Sequence, residues 1–401
     1  MKLLSKGLRM PWLRADGQRR RRSACAMFGL LFAVGAPGPV LGDEDTNDTR
    51  RPFRRPAVEI LGRTEWQRVE QSINDGLEYL VSQQRQDGSF AARPSGQPGI
   101  TSLCVLAFLS RGHLPGSGPH GERLSSAIDF VLSCQRDDGL LSLAEPERRH
   151  VHDGASHTGN YNNAIAGLML AEVYGMCQGD QHERIRAAIE RSLVFMRRQQ
   201  TKPKRRPIDN GGWRYIRRRT TIDADLSVTS WQLTFLRSAK NAEFDVPESH
   251  VDEGMAYVKG CFDAEEQTFI YGHSERDHIA TLGVAGGGIV SMALGGEHDS
   301  EMAKQSGRWI LQQSFQRYNR GAGPYHYGAY YSSQGMFQLG GKYWEQFYPR
   351  LTQALTRFQR ADGSWDIERD INGNTFGNCY TTALCVLALT PPYQLLPIYQ
   401  R

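Results

Sequence analysis

The chain has 401 residues, of which 39% are hydrophobic and 23% charged. That excludes a disordered tail and a multi-span membrane protein, and it allows either one large helical domain or two to three average ones. The formal charge of +5 is unevenly placed: residues 1–42 hold eight basic side chains and one acid, so the remainder carries −2. A near-neutral body has no general electrostatic reason to bind nucleic acid.

Residues 1–42 read as an export signal. Four arginines, Arg19–Arg22, precede a short apolar run at 24–36, and Val40-Leu41-Gly42 offers small residues for cleavage. The run is too short to span a bilayer comfortably. The alternative is an uncleaved interfacial anchor with peripheral membrane contact. The protein is therefore expected to be exported, to a periplasm or the extracellular space. Residues 43–63 form a polar linker, punctuated by prolines up to Pro56, and residues 64–401 form the folded domain. Beyond the signal lie Cys104, Cys134, Cys177, Cys261, Cys379 and Cys385. An even number in an exported protein permits disulfides. Cys104 and Cys385, however, sit in apolar helical runs as small hydrophobes. With no CxxC pair, no zinc knuckle is expected, and no cofactor is implied.

After the linker the chain repeats itself. Residues 76–90 end in Gln84-Arg-Gln-Asp-Gly-Ser-Phe90, residues 355–365 contain Gln359-Arg-Ala-Asp-Gly-Ser-Trp365, and residues 128–139 contain Gln135-Arg-Asp-Asp-Gly139. Looser copies run from Leu193 to Trp213, from Gly254 to Phe269 and from Gly307 to Tyr325. In each, Gly ends a helix, Asp favours the turn, the aromatic ring packs back and the Gln amide can satisfy loose backbone groups. The segments that follow also match: residues 101–109 and 382–389 share the run Thr-x-Leu-Cys-Val-Leu-Ala. Equivalents lie at 162–174, 227–239, 281–294 and 330–339. Each opens on hydroxyl or amide side chains suited to a helix start, then turns apolar nearly all round, as a doubly buried helix must. Six alternations of amphipathic and apolar helix predict an all-α fold, an (α/α)6 toroid of two concentric rings. The likeness of the first and last inner helices suits a ring whose ends meet.

These segments resemble the QW repeats of squalene–hopene and oxidosqualene cyclases and the related helical toroid of protein prenyltransferase β subunits, over residues 65–395. The resemblance implies a terpenoid cyclase/protein prenyltransferase-like fold with a central cavity, entered from the end where the inner helices begin. In those enzymes the cavity binds isoprenoid chains. The cyclases protonate an alkene with an aspartic acid of a DxDD motif. Here Asp223-Ala-Asp225-Leu226 matches its first and third positions, and Leu226 breaks the fourth. The resemblance makes Asp225 the catalytic candidate and Asp223 its support; the bland alternative is that Asp225 caps a helix. The prenyltransferases hold zinc through Asp, Cys and His, but the comparable stretch, Phe376–Thr382, has no histidine, so no metal is expected. The Cys-Gly-Glu-Gln motif of thioester domains of similar shape is absent, as are HExxH and GxSxG.

Polar and aromatic residues concentrate where the inner helices begin. The second contributes His157, Asn160, Tyr161, Asn162 and Asn163, and the third Asp223, Asp225 and Thr229. The fourth adds His278 and Thr281, and the fifth Tyr325, His326, Tyr327, Tyr330, Tyr331 and Gln334. The sixth adds Asn378 and Tyr380. With Trp231, His157, Asn160, Tyr161, Tyr325, His326, Tyr330, Tyr331 and Tyr380 are expected to line the cavity. Aromatic faces suit carbocations or an isoprenoid ligand; Tyr, His and Asn together would also suit a polysaccharide lyase. A glycosidase would want two carboxylates facing across a sugar. The stretch from Arg197 to Arg219 holds ten basic residues against one acid, Asp209. It can receive an anionic headgroup, a diphosphate or an acidic polysaccharide, or be a solvated loop. The expected ligand is a hydrophobic small molecule of isoprenoid or lipid type. The alternatives are an acidic polysaccharide acted on by a lyase or hydrolase, and a non-catalytic scaffold.

Overall fold

The computed structural model describes residues 60–319, 323–369 and 373–400. The expected export signal and the linker as far as residue 59 lie outside the described residues. Among the described residues there are twelve α-helices, in hairpins of one outer and one inner helix: α1 (Arg63–Gln83) and α2 (Gly99–Leu109); α3 (Gly121–Ser133) and α4 (Ala155–Val173); α5 (Gly179–Gln200) and α6 (Leu226–Asn241). Then come α7 (Glu248–Gly260) and α8 (Leu282–Leu294); α9 (Glu301–Gln312) and α10 (Tyr325–Leu339); α11 (Gly341–Phe358) and α12 (Gly373–Leu389). Each inner helix packs on the next, and α12 returns to α2. The domain is an all-α toroid. Its only strands among the described residues, β1 (Phe262–Asp263) and β2 (Thr268–Phe269), form a small antiparallel ribbon that pairs Phe262 with Phe269 in the fourth hairpin.

Helical spacing accounts for the two rings. In α1, Val69, Ile73, Leu77 and Leu80 recur every three or four residues and are buried, while the intervening charges face outward. Every residue of α2 is buried, because the cavity and core lie on one side and the outer helices on the other. In α8 the run Gly286-Gly287-Gly288 has a packing reason. A Cβ on Gly286 would lie 2.4 Å from the Tyr331 carbonyl carbon, so α8 and α10 approach almost backbone to backbone.

The repeated turns are built alike. The amides of Gln84, Gln135, Gln200 and Gln359 each donate to the carbonyl of their own turn glycine and to a carbonyl of the next outer helix or its entry: Arg123, Ala188, His250 and Ser72. The residue closing each turn then donates its backbone N–H to an inner-helix side chain. Phe90 donates to Thr101, Leu141 to Asn163, Trp213 to Thr229 and Trp365 to Thr382. Asn163 and Thr229 are therefore parts of the framework. The Gln359 turn reaches α1, which locks the last hairpin onto the first. At its tip Gly363 has φ 84°, and a Cβ there would lie 2.3 Å from the Asp75 carbonyl oxygen. Gly363→Ala is therefore expected to destabilise the fold by at least about 2 kcal/mol, since the left-handed conformation alone costs about 1–2. Gly116, with φ 68° and open space around its missing Cβ, isolates that backbone share as the control variant Gly116→Ala. Equal losses for the two in chemical denaturation would show that the closure contact is unimportant.

Helices α4 and α10 start earlier than their apolar runs suggest. Helix α4 begins at Ala155 because Glu147 accepts the Ser156 N–H at 2.8 Å and the Ser156 hydroxyl accepts from Val151 N–H. Helix α10 begins at Tyr325 because Glu368, from the loop before α12, accepts the N–H groups of Tyr325, His326 and Tyr327. Both carboxylates are remote in sequence or outside the helix, so no local capping signal marks these starts. All six described cysteines are buried thiols. No helix of the described residues is long and apolar enough to cross a membrane.

Candidate functional site

The N-terminal halves of all six inner helices surround a cavity of about 510 Å³, within the usual size range of a small-molecule pocket. Ile100 and Leu103 of α2, Tyr161 and Ile165 of α4, Trp231 of α6, Val284 of α8, Tyr327 of α10 and Phe376 and Tyr380 of α12 form its walls. Loops add Tyr215, Tyr271, Ile279 and Glu368. The surface is mostly apolar and aromatic. Among the described residues Glu368 supplies its one carboxylate, already engaged by three backbone amides and 3.1 Å from His326 Nδ1.

The far end is filled. Trp231 stacks on Tyr330 at 5.5 Å and meets Tyr331 edge-on at 5.2 Å. Below them the C-terminal segment Pro397–Tyr399 enters the ring: the Tyr399 hydroxyl bonds the Tyr330 hydroxyl, and Gln338 donates to the Tyr399 carbonyl. The Ile398 N–H donates to Glu172, a carboxyl that burial raises to about 7 and to which the Ser238 hydroxyl also donates. The cavity is thus a cup with a sealed floor.

Of the side chains expected from sequence to line it, His157, Tyr161, Trp231 and Tyr380 do so. Tyr330 and Tyr331 lie in the floor beneath Trp231. The Tyr325 hydroxyl donates to the Phe315 carbonyl, and fully buried His326 bonds the Tyr318 hydroxyl through Nε2 at 2.9 Å. Asn160 turns the other way and donates to the Arg214 carbonyl, on the wall of a neighbouring cleft.

Asp223 and Asp225 have separate surroundings. The Asp223 carboxylate is clasped by the Arg205 guanidinium at 2.6 Å and lies 3.3 Å from Arg218 Nε, which holds it below its usual range despite burial. It is 18 residues from Arg205 along the chain but does not face the cavity. Asp225 is fully buried and caps α6: its Oδ1 accepts the Val228 N–H at 2.8 Å. Its Oδ2 has no hydrogen-bond partner among the described residues and lies 3.8 Å from Arg214 Nε. Arg214 also approaches Asp277 at 3.6 Å and spans the faces of Tyr215 and Tyr271. Burial lifts Asp225 to about 6, against the pull of Arg214, the Val228 amide and the Tyr271 hydroxyl. Asp225 is not in the cavity wall. Tyr215 and Tyr271 are, and their hydroxyls share a 2.9 Å hydrogen bond.

Sequence reasoning held Arg214 only as one of the basic residues of the stretch 197–219, and it missed Tyr215, Tyr271, Asp277 and Glu368. All lie in loops just ahead of an inner helix, the same place in the repeat as the residues it found. That position is the only local signal they carry. Among the described residues no three His, Cys, Asp or Glu side chains gather as a metal site.

No family model matches this sequence, and no curated protein is similar to it in sequence. Solved structures are similar in fold. Type II terpene cyclase MstE from Scytonema, bound to geranylgeranyl dihydroxybenzoate, superposes with a TM-score of 0.55 at 15% identity, covering 84% of this chain and 100% of that one. An α-1,6-mannanase of Salegentibacter in complex with α-1,6-mannotriose gives 0.56 at 10% identity over 82% of this chain and 99% of its own. A glycosidase in complex with glucose gives 0.58 at 12% over 84% and 100%. At such identities the likeness is one of fold, and the chain is a toroid of the architecture that terpene cyclases and several glycosidases share.

Proposed function

We propose that this protein, exported by its N-terminal signal, binds an isoprenoid or similarly hydrocarbon-rich ligand in the central cup. The observation that carries this reading is the cup's lining: mostly aliphatic and aromatic walls, a sealed floor and, among the described residues, a single, already engaged carboxylate. An apolar ligand gains about 25 cal/mol for each Å² it buries there. The squalene-cyclase-like turns and the fold of MstE, whose bound ligand carries a geranylgeranyl chain, support the same class.

Binding is favoured over acid-initiated cyclisation. Protonating an alkene needs an unusually strong acid, whereas burial weakens Asp225 as an acid by lifting it to about 6. Tyr271 and Tyr215 also stand in the wall where the proton would have to leave. Among the described residues the cup offers no second carboxylate of the kind glycoside hydrolysis uses.

The test is native mass spectrometry of the purified full chain after exposure to a total lipid extract, beside Asp225→Asn. A hydrocarbon-rich ligand retained unchanged by both supports binding. Conversion by the unsubstituted protein alone would instead make Asp225 the catalytic acid. If neither retains lipid, the proposal fails and acidic polysaccharides become the next candidates.

A further inference from the structure

The segment that closes the far end of the ring is a strap with two unlike halves. Its outer anchor is Tyr393, whose hydroxyl donates to Glu70 of α1 at 3.2 Å and whose ring lies under the Arg111 guanidinium at 4.2 Å. Gln394 then takes a left-handed conformation, φ 51°, uncommon for a residue with a side chain, and Leu395 is 44% exposed. Beyond this turn the chain dips inward, and Leu396, Ile398 and Tyr399 are buried. Polar contacts hold it there. Gln338 of α10 donates to the Tyr399 carbonyl at 3.0 Å, the Tyr330 and Tyr399 hydroxyls bond each other, and the Ile398 N–H donates to Glu172 of α4 at 3.3 Å. Helix α6 joins through Ser238, whose hydroxyl donates to the other Glu172 oxygen at 2.6 Å.

The seat turns on Glu172. Its carboxyl is buried, and among the described residues no cation stands against it: burial raises it to about 7, and only the Ser238 hydroxyl and the Ile398 N–H pull the other way. The other titratable groups beside it are the Tyr330 and Tyr399 hydroxyls, which burial keeps protonated well above their ordinary range. A neutral carboxyl suits such a pocket, whereas a carboxylate there is a buried charge without a counter-ion. Lifting the strap removes one hydrogen bond but admits water, which solvates the charge and returns the group toward 4.5. The seated strap is therefore favoured fully below 4.5 and loses that advantage as pH rises through 7. We propose that residues 395–400 are a latch on the floor of the cup, seated while Glu172 is protonated and released when it ionises, with the turn at Gln394 as hinge and Tyr393 as fixed anchor. Release takes Tyr399 from beneath Tyr330, the ring on which Trp231 stacks, and so loosens the floor. The release stands on the strap's own contacts; its effect on a ligand rests on the cup's being a hydrocarbon site.

Hydrogen exchange on the full chain, corrected for the intrinsic effect of pH on amide chemistry, reads the latch. The amides of Leu396 and of Ile398 to Gln400 are expected to exchange ahead of those in α4, α6 and α10. They should lose at least about tenfold in protection between pH 5 and pH 7, because each opening releases a proton. Glu172→Gln keeps an uncharged acceptor for the Ile398 N–H and should abolish this loss. Tyr399→Phe should lower protection by one factor at every pH and leave the pH dependence as it is. Farnesol bound by the parent should dissociate faster at pH 8 than at pH 5, and at a single rate from Glu172→Gln. Exchange of the strap only in step with the inner helices would overturn the latch, since it would then open only when the domain unfolds. A pH-dependent loss that survives in Glu172→Gln would overturn it as well, by placing the switch on another group. Release without any change in farnesol dissociation would overturn the link to the cup. Release with no farnesol bound at either pH would sink the hydrocarbon reading and leave the latch standing.

Discussion

Arg214→Met is expected to destabilise the protein by about 3–5 kcal/mol at pH 8, the usual consequence of removing one partner from a buried ion pair. Methionine fills much of the space but leaves Asp225 and Asp277 without their shared cation. The loss is specific in its pH dependence. Asp225 is lifted to about 6 in the folded protein from an ordinary 3.8. Its contribution to stability is therefore fully present below 3.8 and disappears as pH rises through 6. Without Arg214 the pull toward the charged form vanishes and the carboxyl holds its proton to still higher pH. The deficit of Arg214→Met should accordingly shrink between pH 8 and pH 5, and Asp225→Asn in the same chain should recover a large part of it at pH 8. Urea denaturation at the two pH values measures this. An equal deficit at both would mean that Arg214 acts by packing and not by charge.

The second large effect concerns acid. His157 stacks on Tyr215 at 3.9 Å, its Nδ1 lies 3.1 Å from His150 Nε2, and it is buried in the cup wall. Burial, then His152 and His150, then Arg219 and Arg214, drive it down to about 3 from 6.5. The neutral ring is the one the fold accepts. Its contribution is fully present above pH 6.5 and is lost as pH falls toward 3, a span worth up to about 5 kcal/mol. His157→Phe keeps the stack on Tyr215 and removes the titration. The variant should therefore lose markedly less stability than the parent on going from pH 7 to pH 4. Parallel curves would show that the parent's imidazole accepts its proton without resistance.

These two groups bear on function through one wall. Arg214 and His157 both contact Tyr215, the ring shared by cup and cleft. A cation fixed beside that ring and an imidazole kept neutral against it give Tyr215 one charged and one uncharged neighbour.

How much of this was legible in the chain differs between fold and site. The Gln–Asp-Gly–aromatic turns and the apolar runs after them determined the toroid, because their chemistry is local. A glycine such as Gly363 must take a left-handed conformation, a Gln amide reaches a carbonyl one helix away, and a period near 3.6 marks each buried face. The concentration of polar and aromatic residues at the inner-helix starts likewise located the mouth of the cup. Which of them face it was decided only in three dimensions. Tyr161 and Tyr380 enter the cup while Tyr330 and Tyr331 lie in its floor, because that end is occupied by Tyr399, remote from them in sequence. Asp223 and Asp225, two residues apart, part company because the first is held in the loop by Arg205 and Arg218, while the second caps α6 and is drawn inward beside Arg214. Glu368 gained its place by capping a helix about forty residues before it. Such pairings depend on where closure of the ring sets each loop, and no local pattern encodes them.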